Sequence, residues 1–106
     1  MAKDNRSIGT LTIALDATVS NSLGIADAHT LYLWSPASFS GTVSVQVSPT
    51  IGGDDFATLQ DGTTDVTLTA NRCKAVTAVA GLRVRLSSSI AQVAAAAFTL
   101  DGAFEH

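Results

Sequence analysis

Alternation with a period of two runs through the chain. Leu11, Ile13 and Leu15 alternate with Thr12 and Ala14, and Val43, Val45 and Val47 with Ser44 and Gln46. Leu82, Val84 and Leu86 alternate in the same way with Arg83 and Arg85. Each segment predicts a half-buried strand with one apolar face for a core and one polar face for solvent or a partner. Shorter β-rich pieces are Leu31-Tyr32-Leu33-Trp34, Phe56 to Leu59, Val66-Thr67-Leu68 and Ala75-Val76-Thr77. Turn clusters separate them: Ser20-Asn21-Ser22, Ser35-Pro36-Ala37, Pro49 to Asp55 with Gly52-Gly53, Asp61-Gly62 and Ala80-Gly81. Strands spaced by roughly 8–12 residues with such punctuation indicate an all-β sandwich or barrel. No segment offers a helical crossover of about a dozen residues, so the sheets are expected to be mainly antiparallel.

Ser87 to Phe98 is the ambiguous stretch. Its alanines behind a serine could make a short helix. The reading adopted is a turn near Ser88 to Gln92, then a strand from about Val93 to Leu100, with a turn at Asp101-Gly102. Residues 1–7 are expected to be a flexible N-terminal arm, and residues 8–104 a single domain.

A chain of 106 residues suits one domain, burying about 60% of the surface its unfolded form exposes. Apolar residues at 46% against charged ones at 14% exclude disorder, which needs the opposite balance. The surface is then made largely of hydroxyl, amide and methyl groups, which are cheaper to desolvate than ions. That suits a protein that works packed against others. With a net charge of −3 and no basic face interleaved with aromatics, nucleic-acid binding is not expected. The polar N-terminus has no apolar stretch of a signal peptide behind it, so folding in a cytoplasm is expected. The longest apolar run, Val93 to Phe98, is far too short for a membrane helix.

Catalytic chemistry finds few residues to stand on. His29 is the only internal histidine, and it reads as a loop residue before a strand rather than the base of a triad with Asp27. Asp54-Asp55, Asp61 and Asp65 lack the regular spacing of a calcium loop, and one Cys with one internal His does not make a zinc site. No enzyme activity, cofactor or metal is therefore expected. Cys73 reads as a small, partly buried hydrophobe, with a crosslink between copies as the alternative. Trp34 reads first as a core anchor, and with Tyr32 as a sugar-stacking pair second. Arg83 and Arg85 share a polar face. They read as edge-strand charges that deter misassociation, or as an ion-pair patch for an acidic neighbour. The residues marked for partner binding are Lys3, Arg6, Arg83, Arg85 and Trp34.

The stretch Ser40-Gly41-Thr42-Val43-Ser44-Val45-Gln46-Val47-Ser48-Pro49, with Gly52-Gly53-Asp54-Asp55-Phe56 and Leu59-Gln60-Asp61-Gly62 after it, resembles small structural proteins of tailed-bacteriophage virions. In that group a "GTVTVQVSPDGG…W…LQDG" pattern precedes a "VTLTAG" strand and an "LRLVSS" strand. Asp65 to Ala70 and Gly81 to Ser88 occupy those places here, and Ala97 to Gly102 is similar to the group's terminal strand. The likeness covers about residues 30 to 102. Two departures stand out: Phe56 where the group often has Trp, and Asn71-Arg72-Cys73-Lys74 in place of a glycine turn. The resemblance implies a β-sandwich virion component, foremost a head decoration or cement protein, with neck, collar or tail as variants. It also implies a location on the virion, the major capsid protein or other virion proteins as partners, and a symmetric homo-oligomer such as a trimer. A small carbohydrate-binding β-sandwich module is the alternative from a different class.

Overall fold

The computed structural model describes residues 3–25, 30–49, 55–61, 63–77 and 83–105. The strands of the first half are β1 (Lys3–Ile13), β2 (Leu23–Gly24), β3 (Thr30–Trp34) and β4 (Val43–Ser48). Four short pieces follow: β5 (Ala57–Thr58), β6 (Gln60–Asp61), β7 (Thr64–Asp65) and β8 (Thr67–Leu68). The chain closes with β9 (Cys73–Thr77), β10 (Arg83–Ser88) and β11 (Ala96–Glu105). No helix occurs among the described residues.

Two sheets form the sandwich among the described residues, and β6 and β7 pair separately as a small two-stranded ribbon. One has the order β1-β11-β3-β9; the other has the order β2-β10-β4-β5, with β8 also pairing β4. Every strand ladder is antiparallel. Each strand of the first half pairs with its mirror in the second: β1 with β11, β2 with β10, β3 with β9, and β4 with β8. The chain is thus one long hairpin wound upon itself into two layers, which is the strand order of a jelly roll. The all-β antiparallel sandwich expected from alternation is what the structure shows.

The inward positions are those that alternation selects. Leu11, Ile13, Leu31, Leu33, Phe98 and Leu100 of the first sheet are fully buried, as are Val43, Val45, Val84 and Leu86 of the second. Phe39 packs on Phe98 with ring centroids 5.3 Å apart. These phenylalanines anchor the core that the sequence reading gave to Trp34.

Several boundaries differ from expectation. Residues 3–7, expected as an arm, are the first half of β1, paired from Lys3↔Glu105 to Ser7↔Asp101. Their partner exists because β11 runs through Asp101 and Gly102, where a turn was expected, to Glu105. A bulge at Ile8 re-aims β1 between Ser7 and Gly9. Gly9 adopts φ 156°, and a Cβ there would lie 3.1 Å from Leu23 Cδ1, so the bulge brings the two layers close. At the other end β1 stops at Ile13, and β11 starts only at Ala96. Leu15 and Val93, expected as strand residues, therefore lie in loops. Arg83 and Arg85 sit on an inner strand, because β10 is flanked by β2 and β4.

Candidate interaction surfaces

One end of the sandwich carries the loops 14–22, 35–42, 69–72 and 89–95. Exposed apolar side chains gather there: Leu15 at 58%, Ile90 at 54% and Val93 at 81%. Leu15 bridges to Gln92, which places it beside the 90–93 loop. Ala14, Ala91, Ala94 and Ala95 are exposed around them. Large apolar side chains grouped in this way mark contact surfaces more often than plain solvent-facing ones.

The loops that present these side chains are tightly tied. Asp16 takes a left-handed φ of 66°, and the Ala17 amide donates to Ala14 O at 3.0 Å, closing a turn. Gln92 is 1% exposed and binds three segments at once. Its amide donates to Ala17 O and its carbonyl accepts from the Asp16 amide. Its Oε1 accepts from the Ser40 amide at 2.9 Å. Its Nε2 donates to Ser40 O at 2.8 Å and to Ser88 Oγ at 2.9 Å. Gly41 beside it has φ 72°, and a Cβ there would lie 2.7 Å from Ile90 Cγ1 and Ser89 Oγ. The apolar end is a set platform rather than a loose tip.

The outer face of the first sheet carries Trp34. Leu31 and Leu33 point inward, so Tyr32 and Trp34 point outward. Trp34 is 50% exposed, and its Nε1–H donates to Asp101 Oδ2 at 3.2 Å. Trp34 stands between Thr99 on β11 and Cys73 on β9, while Tyr32 stands between Asp101 and Ala75. Thr10 of β1 lies opposite Thr99. Cys73 is exposed rather than partly buried. Desolvation first, and the Asp101 charge second, push its thiol pKa up.

On the outer face of the second sheet, Arg83 and Arg85 are half-buried and engaged within the chain. Arg83 donates from Nε and Nη2 to Ser22 Oγ, and from Nη2 also to Ser22 O. Arg85 Nε donates to Gln46 Oε1 at 2.7 Å, and its guanidinium lies 4.2 Å from the Phe56 ring centroid. Both cations thus hold the sheet's own surface together. The backbones of Lys3 and Arg6 belong to β1, and their side chains lie outside the described residues, as do His29, Asp27, Asp54 and Leu82. The five residues marked for partner binding do not share one surface: Trp34 and the arginine pair occupy opposite layers.

The sequence reading missed Leu15, Ile90, Val93 and Gln92. The available signal was a pair of bulky apolar residues, Ile90 and Val93, spaced off the strand period beside a polar Gln92. Among the described residues no group of three or more His, Cys, Asp or Glu side chains could hold a metal. No helix among them is long and apolar enough to cross a membrane. No protein-family model, curated protein or solved structure matches this chain.

Proposed function

We propose that this chain is a structural protein of a tailed-bacteriophage virion, acting as a head decoration protein that seats its apolar end on the capsid shell. The observation that carries the reading is the fixed cluster of Leu15, Ile90 and Val93, held outward by the buried Gln92 network. A protein whose task were to diffuse alone would gain by replacing these side chains with polar ones. A protein that docks gains by burying them, at about 25 cal/mol per Å² of apolar surface. The stretches around Val43 to Val47 and Arg83 to Ser88 resemble that group's strands, and jelly rolls are a common architecture of capsid proteins. Fold alone does not assign function, so the weight rests on the surface.

Display in many symmetric copies lets weak individual contacts add up, and a trimer is an economical match to a three-fold position on a shell. The partner in this reading is the major capsid protein. Immunogold labelling of purified particles with antibody to this chain tests it. Label spread evenly over heads is the expected result. Label confined to neck, collar or tail would keep the virion class and overturn the placement, and absence of label would overturn the reading.

A further inference from the structure

We propose that the outer face of the β1-β11-β3-β9 sheet is a second, independent binding site: a platform for a neutral saccharide chain, with Trp34 and Tyr32 stacking sugar rings and Asp101 and Thr99 bonding their hydroxyls. The inference does not rest on the virion reading.

Four features of the face point to this ligand. First, the ring of Trp34 is half-exposed although burial would stabilise it. Its one polar atom is already bonded to Asp101, which turns the indole into an oriented apolar surface with no donor left to satisfy. Second, Tyr32 follows two residues earlier on the same face, about 7 Å away along the strand, so the two rings form one ridge. Third, Thr99 and Asp101 stand directly across from Trp34 and Tyr32 on β11. The strand spacing of about 4.8 Å puts them beside a sugar stacked on the ridge rather than beneath it. Their hydroxyl and carboxylate oxygens can then meet the ring hydroxyls at its edge. Asp101 Oδ1 takes no part in the bond to Trp34. Fourth, Ala75 on β9 flanks Tyr32 with only a methyl group and is itself exposed.

The chemistry selects among ligands. Asp101 is the one charged side chain in the two rows that contain Trp34 and Tyr32, so an anionic glycan is repelled and a neutral one is not. The core of a protein interface would surround the indole with further apolar bulk. Hydroxyls and small residues surround it here, which suits a ligand with apolar ring faces and a hydroxyl rim. A shallow, open face implies weak binding by each copy.

Trp34 is the only tryptophan in the chain, so its fluorescence reads the site directly. The probes are chitohexaose, cellohexaose and xylohexaose, titrated into the full chain. The expected result is a saturable change in emission with at least one of them, at a Kd in the micromolar to millimolar range. Calorimetry with that sugar should then show Trp34→Ala weakening binding about tenfold or more, with a smaller loss for Tyr32→Ala. The Asp101→Asn variant keeps the fluorophore and should bind several-fold more weakly. Unchanged far-UV circular dichroism checks that each variant folds. A Leu15→Glu/Val93→Glu variant, altered only at the apolar end, should bind the sugar as the wild type does. No response to any of the three sugars would overturn the proposal. So would an emission change produced only by added capsid shells, which would assign Trp34 to a protein interface instead.

Discussion

Replacing Gln92 with Leu tests the buried network that fixes the apolar end. Leucine preserves most of the volume and removes the amide group. The Ser40 amide then loses its acceptor, a bond of 2.9 Å. Ser40 O and Ser88 Oγ lose the Nε2 donor, and the single Ser88 hydroxyl proton is shared between Ile90 O at 2.7 Å and Ser40 O at 3.1 Å, so it replaces that donor only in part. One buried donor left without a partner costs about 1–3 kcal/mol, and two further hydrogen bonds contribute about 0.5–1.5 kcal/mol each. The expected total is about 3 kcal/mol, reduced somewhat by the more favourable burial of leucine. For a domain near this size each kcal/mol moves Tm by about 4–8 °C, so a fall of about 10–20 °C is expected in far-UV circular dichroism melts. The Gln92→Glu variant keeps an acceptor for Ser40 but turns a carboxylate oxygen toward Ser40 O. It should be less stable than Gln92→Leu at neutral pH and recover as the medium is acidified. The carboxyl would have a raised folded-state pKa, so its contribution is present at low pH and lost as pH rises. A Gln92→Leu protein melting within about 2 °C of wild type would refute the view that this amide holds the three loops together.

Other variants probe separate parts of the structure. Gly41→Ala adds a Cβ to a left-handed residue, 2.7 Å from Ile90 Cγ1, and should cost about 1–3 kcal/mol in urea unfolding. Leu15→Glu with Val93→Glu, both at exposed sites, should change stability by no more than about 0.5 kcal/mol while abolishing sedimentation with capsid shells. The Asn21 side chain accepts from the Thr12 amide and donates to Thr10 O along the outer edge of β1. Asn21→Ala should expose that edge, cost about 1 kcal/mol and raise the rate of thioflavin-positive aggregation. Desolvation and the Asp101 charge hold the Cys73 thiol pKa up. Iodoacetamide should therefore modify it more slowly at pH 8 than a small free thiol, and Asp101→Asn should speed the reaction.

Alternation by itself determined the fold class and most of the core. Side chains on a strand point to opposite faces in turn, so Val43 and Val45, Val84 and Leu86, and Leu31 and Leu33 declare their burial within a few residues of sequence. The same rule places Trp34 outward once Leu31 and Leu33 are inward. The contrary expectation arose from weighing tryptophan's size above its position in the pattern. Cys73 was misjudged on residue type in the same way.

What the tertiary structure alone decided are the relations between distant segments. Nothing local in residues 3–7 indicates a strand, because their order depends on a partner at residues 101–105, about a hundred positions away along the chain. The inner position of β10, which turned Arg83 and Arg85 from edge charges into internal clamps, depends on both β2 and β4 lying beside it. Gln92 is a polar residue in a loop until three segments close around it, and only then does it fix Leu15, Ile90 and Val93 as one surface. Local sequence sets which way a side chain faces. Winding the long hairpin into two layers sets what it faces, and the binding surfaces belong to that second kind of information.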